Sequence, residues 1–148
     1  MYETILVPLD GSQRSELILS HVEALALEFG SKVILLRVIE PDQSLLSPQE
    51  AHPEVNIELL RAKRAEIEGY LAGVRGEFRE KGVKVEIIVE LGPVVDTIIK
   101  IAEQEHVDLI AMASHGRTGL ERVFYGSVAA GVLQRVDRPL LLIRARRL

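Results

Sequence analysis

The 148-residue chain has no cysteine and no tryptophan. Without cysteine there are no disulfides, thiolate nucleophiles, iron–sulfur clusters or cysteine-ligated zinc, and a reducing compartment is permitted. Aromatic residues make up 4% of the chain, too few for a base-stacking platform. The 18 basic residues are outnumbered by 22 acidic ones, for a net charge of −4. That balance argues against a general nucleic-acid binder and against binding to anionic membranes. No apolar run approaches the ~20 residues of a membrane span. The run Ile5 to Leu9 is broken by Pro8 and lacks a basic leader and a small-residue cleavage site, so it does not read as a signal peptide. A cytoplasmic protein is expected.

What remains is ordinary and informative. Hydrophobic residues are 47% and charged residues 27%, the balance of a folded globular chain. The length suits one domain, residues 1–148, burying about two-thirds of the surface its unfolded chain exposes.

Strands and helices alternate along the chain. Thr4–Val7 reads as a short buried strand that runs into the turn Pro8–Ser12. A helix follows, with Leu17, Ile18, His21, Val22, Leu25, Ala26 and Phe29 expected on its buried face and Gly30 ending it. Lys32–Ile39 is a second strand, apolar on both faces. Glu40–Pro53, with its prolines, reads as a loop, and a long helix then runs to about Lys81 on a stripe of Leu60, Ile67, Leu71, Val74 and Phe78. Val83–Leu91 is the third strand. Gly92-Pro93 opens a helix that buries Val95, Ile98, Ile99 and Ala102, with the proline in its first turn. Val107–Ala113 is the fourth strand and Ser114–Tyr125 a glycine-containing loop. A last helix from Gly126-Ser127 to about Arg135 precedes a fifth strand, Pro139–Ile143. This alternation implies an α/β fold: a parallel sheet with helices on both faces. Such sheets bind ligands beyond the carboxyl ends of their strands, where the strand order reverses.

Two segments at strand ends carry candidate chemistry. After the first strand, Asp10 can accept hydrogen bonds from ribose hydroxyls or a base amino group; equally, Asp10 or Ser12 can simply cap the next helix. After the fourth strand, Ala113-Ser114-His115-Gly116-Arg117-Thr118-Gly119 and then Gly126-Ser127 combine loop glycines with a helix start. Glycine lets backbone approach a phosphate, and free N–H groups at a helix N-terminus favour an anion. The Ser127 hydroxyl adds a donor and Arg117 a charge. The plainer alternative is a surface loop with an N-cap serine.

With these residues the chain resembles the universal stress protein family along nearly all its length. Ile5-Leu6-Val7-Pro8-Leu9-Asp10-Gly11-Ser12 is similar to the family's first-strand signature. Met112 to Leu120, followed by Gly126-Ser127-Val128, is similar to its nucleotide loop. ATP-binding members carry G-x2-G-x9-G-[S/T]; here the same spacing reads Ala113-x2-Gly116-x9-Gly126-Ser127. The departure, Ala113, adds a methyl where backbone would approach the ligand. The resemblance implies an open five-stranded sheet of order 3-2-1-4-5, Rossmann-like and akin to the adenine nucleotide alpha hydrolases. It implies that Pro8, Asp10 and Val38 line an adenine and ribose pocket. Met112 and Ala113 would border the ribose and phosphates, and Gly116, Gly126, Ser127 and Val128 would hold the phosphates. Arg117 is added as a phosphate partner on its charge and place. It further implies homodimers joined through the last strand, Pro139–Ile143, an apolar strand that edge-pairing arguments also favour.

Other features carry less. His115 reads as a solvent-facing loop residue, and His21, His52 and His106 lack ligand spacing, so no protein metal site is expected. A Mg²⁺ held by nucleotide phosphates is compatible. There is no GxxxxGK[ST] and no catalytic triad or carboxylate pair, so dedicated catalysis is not expected. Ala62, Ala65, Gly69, Gly73 and Gly76 lie opposite the long helix's apolar stripe and read as a bland surface, the alternative being close packing of a second chain along this small-residue face. The basic tail Arg144–Leu148 reads as solvated. The expected function is an ATP-binding, homodimeric regulatory protein of the stress response that acts on an unidentified protein partner. A slow ATP hydrolase and a nucleotide-free interaction module are the alternatives.

Overall fold

A computed structural model describes residues 1–41, 53–114 and 126–144. The described elements run β1 (Thr4–Pro8), a 3-10 turn (Ser15–Ile18), α1 (Leu19–Phe29), β2 (Lys32–Ile39), α2 (Pro53–Glu80), β3 (Lys84–Leu91), α3 (Val94–Gln104), β4 (Leu109–Ser114), α4 (Ser127–Arg135) and β5 (Leu140–Arg144). The five strands form one sheet of order β3-β2-β1-β4-β5, and every neighbouring pair is parallel.

Strand alternation divides the core into two layers. Ile5, Val7, Val33, Leu35, Leu109 and Ala111 face α1 and α2 and pack with Val22, Ile67, Leu71 and Phe78. Leu6, Ile34, Leu36, Ile110 and Met112 face α3 and α4 and pack with Ile98, Ile101, Ala129 and Val132. The central strands are apolar on both sides because both sides are covered. β5 and β3 are the edges. β5 is half-buried along Leu140–Ile143, whereas β3 presents exposed Lys84 and Glu86.

The buried face of the first helix is narrower than its spacing predicts. Ile18, Val22 and Ala26 are buried, but Leu17, His21 and Phe29 are exposed. Leu17 sits in the 3-10 turn, where the 3.6-residue period does not apply. Phe29 stands at the last turn and meets Tyr2 edge-on, with ring centroids 5.3 Å apart. Gly30 then takes φ 65°, a left-handed cap that turns the chain into β2.

Three boundaries shift for identifiable reasons. Val107 precedes β4 because its N–H is spent on Ala102 O in the turn ending α3. Pro93 is the cap residue before α3, extended at ψ 136°, and not part of the first turn. Pro139 contributes only its carbonyl, which accepts from Ile110 N, so β5 proper begins at Leu140. On α2, Ala62, Ala65, Gly69 and Gly73 are exposed, and the three glycines have open space where a Cβ would stand. Most of the two long connections (residues 42–52 and 115–125) and the tail (145–148) lie outside the described residues.

Candidate functional site

The place where the sheet opens is set by pairing. β1 pairs with β2 along its whole length, from Thr4↔Lys32 to Pro8↔Leu36, and Leu9 N continues the ladder to Leu36 O. With β4 it pairs only at Ile5↔Leu109 and Leu6↔Ile110. Beyond Leu6 the two central strands part, while β4 stays paired with β5 as far as Ser114↔Arg144. The crossover from β1 goes to one face and that from β4 to the other, so the gap at their carboxyl ends is the topological switch point.

The turn after β1 borders this gap. Asp10 is exposed, and its Oδ1 accepts from Ser12 N at 2.8 Å, an Asx turn. Ser12 Oγ accepts from Ser15 N at 3.1 Å, and Ser15 Oγ donates to Ser12 O at 2.9 Å. Gly11 permits the bend with φ +86°. Asp10 therefore helps to shape the turn but caps no helix, since neither the 3-10 turn nor α1 has a side-chain cap.

Across the gap stands the start of α4. Gly126 is its cap residue and has no side chain to offer, so the serine at 127 is the first helical residue and not the cap. Ala130 N closes the first helical bond to Gly126 O at 3.0 Å. The end is held from behind: a Cβ at Gly131 would lie 2.8 Å from Val95 Cγ2, so α4 and α3 meet closely one turn in. Arg135 adds an ion pair to Asp96 of α3.

The sequence-derived residues fall as follows. Pro8 and Asp10 follow β1, Val38 is near the end of β2, Met112 and Ala113 end β4, and Gly126, Ser127 and Val128 open α4. All eight lie at the carboxyl end of the sheet. Val38, Met112 and Val128 belong to the α3/α4 layer. Ala113 belongs to the α1/α2 layer, so its methyl is buried on the face away from α4. Gly116 and Arg117, with His115, lie outside the described residues.

Two arrangements escaped sequence reasoning. The Asp108 carboxylate accepts from Glu3 N at 2.8 Å and Thr4 N at 2.9 Å, joining β4's entry to β1's at the opposite end of the sheet. A cavity of about 340 Å³ opens between Leu9–Gly11, Arg37 of β2 and the face of α2 from Lys63 to Leu71. Arg37, the one cation within the otherwise apolar run Val33–Ile39, was the available signal for it.

Strand order and splay define the class: an open, doubly wound α/β protein with a gap at its switch point, the place where such folds bind ligands. The model of the universal stress protein family matches residues 1–144, and the chain belongs to that family. Universal stress protein MJ0577 of Methanocaldococcus jannaschii is 33% identical, with 99% of this chain and 97% of the relative aligned. Universal stress protein YxiE of Bacillus subtilis is 31% identical over 97% of this chain and 100% of its own. The solved structure of MJ0577 superposes with a TM-score of 0.86 over 100% of this chain and 99% of its own, at 33% identity. A universal stress protein crystallised in complex with cAMP shares the fold, with a TM-score of 0.72 at 20% identity over 98% of each chain. No helix among the described residues is long and apolar enough to cross a membrane.

Proposed function

We propose that this protein is a cytoplasmic, ATP-binding regulator of the stress response. It acts through nucleotide occupancy on a protein partner and not through catalysis of its own. The observation that carries the reading is the early end of β1–β4 pairing at Leu6–Ile110, which opens a gap flanked by Asp10 and the uncapped start of α4.

The residues fit an adenine nucleotide. Backbone N–H groups at Ser127 and Val128, at the positive end of the helix dipole, suit phosphates. Gly126 leaves room for them, and the Ser127 hydroxyl adds a donor. The Asp10 carboxylate suits ribose or base donors, and the apolar Pro8, Val38 and Met112 suit the adenine face. Ala113's methyl, buried on the other face, does not occupy the approach to α4. Gly116 and Arg117 complete the proposed phosphate set, and a bound nucleotide would bring its own Mg²⁺. The cAMP complex of a protein sharing this fold supports the adenine-nucleotide class.

The test is direct. Protein denatured in acid should release an adenine nucleotide, identified by mass spectrometry, and nucleotide-free protein should bind ATP in calorimetric titration. Asp10→Ala and Gly126→Val should each weaken binding tenfold or more, about 1.4 kcal/mol. No released nucleotide together with no heat of binding would refute the proposal. Phosphate release from ATP that falls in a Ser127→Ala variant would favour the hydrolase alternative.

The half-buried apolar edge of β5, in contrast to the charged edge of β3 on the opposite side of the sheet, supports a homodimer joined through residues 139–143. Sedimentation should give twice the chain mass, and a monomer at micromolar concentration would rule the dimer out.

A further inference from the structure

Among the described residues, the cavity beside α2 shares only the Asp10 turn with the residues assigned to the crevice. Its floor is apolar: Leu9, Ile67 and Leu71 are buried. Its wall carries Arg37, which interrupts the row Val33, Leu35, Ile39 that β2 otherwise presents to the α1/α2 layer. A partly buried guanidinium in an apolar row is costly unless something accepts from it. Among the described residues Arg37 makes no hydrogen bond or ion pair. Its Nη1 lies 2.5 Å from where a Cβ at Gly11 would stand, so the glycine lets the guanidinium lie against the turn.

Two further charges reach the rim from α2, Lys63 and Glu66, and neither is paired among the described residues. Tyr70, also in the lining, is committed elsewhere: its hydroxyl donates to Glu16. Asp10 is engaged in its own turn. Two cations, Arg37 and Lys63, thus face two carboxylates, Asp10 and Glu66, and the lining charges balance; Arg37 is the one set in an apolar row with no acceptor among the described residues, above an apolar floor. The volume, about 340 Å³, lies within the range of small-molecule sites.

We propose that this cavity binds a small organic monoanion, a carboxylate with an apolar body. The guanidinium of Arg37 donates to the carboxylate oxygens, as its planar fork favours. Lys63 supplies the second cation, and the hydrocarbon lies on Leu9, Ile67 and Leu71. Glu66 disfavours a dianion such as a phosphate monoester.

The experiment is an NMR-monitored titration of the full chain with octanoate, octylamine as the cationic control and octyl phosphate as the dianionic one. Octanoate should shift Leu9, Ile67 and Leu71 saturably. Arg37→Met should weaken octanoate binding at least tenfold, Arg37→Lys less so, and Lys63→Gln severalfold. Arg37→Met should also melt at or above the wild-type temperature, since it completes an apolar row; an arginine kept for stability would give the reverse. Absence of saturable shifts at those residues, equal octanoate affinity in Arg37→Met, or equal or tighter binding of octylamine or octyl phosphate would each overturn the proposal.

Discussion

The two ends of the sheet are built to opposite plans. At the amino end, gaps between chain segments are closed by side chains that span long sequence distances. Asp108 holds the N–H groups of Glu3 and Thr4. Arg138 Nη1 donates to Ala102 O at 2.6 Å and to Val107 O at 3.2 Å. Ser31 Oγ donates to Tyr2 O, and Lys32 N and Asp108 N bond to Glu3 O and Thr4 O. At the carboxyl end the same two central strands separate, and the helix facing the gap begins at a glycine. Satisfied backbone makes one end a clamp. Backbone left open makes the other the proposed site.

The largest effect is expected at the clamp. Asp108→Ala removes an ionised acceptor from two backbone donors and should cost about 2–3 kcal/mol in urea unfolding, with ATP affinity unchanged. A matching loss of nucleotide binding would show that the two ends are not independent. Gly131→Val comes next: with Val95 Cγ2 only 2.8 Å from a new Cβ, it should cost about 1–2 kcal/mol. Because it displaces the support behind Gly126, calorimetry should show weakened ATP binding as well, unlike Asp108→Ala.

The smallest effect concerns pH. Burial, the hydrogen bond to Glu16 and the nearby Glu77 charge push the Tyr70 phenol above its ordinary value of 10.0. The unfolded chain therefore loses this proton first. The contribution is fully present below about pH 10 and drains away as pH rises beyond it. Between pH 9 and pH 11 the urea midpoint of the wild type should fall more steeply than that of Tyr70→Phe; parallel curves would remove Tyr70 from the account.

The order of elements was legible because each follows a local rule. Runs such as Lys32–Ile39 can only be strands covered on both faces, and Ile67, Leu71, Val74 and Phe78 recur at helical spacing. Asp10 and Gly126-Ser127 stood out because strand ends and helix starts leave polar backbone to be satisfied. Leu17, His21 and Phe29 were misplaced because a 3-10 turn and a helix end break the period on which their burial was inferred.

Composition and periodicity by themselves determined an α/β protein with a buried parallel sheet, since apolar spacing is a property of neighbouring residues and survives without coordinates. Tertiary structure alone decided where β1 and β4 part, that Ala113's methyl lies on the face away from α4, that Asp108 reaches back to Thr4, and that Arg37 looks into a cavity walled by α2. Each of these joins residues far apart in the chain, and such meetings exist only once the strands have taken their places in the sheet.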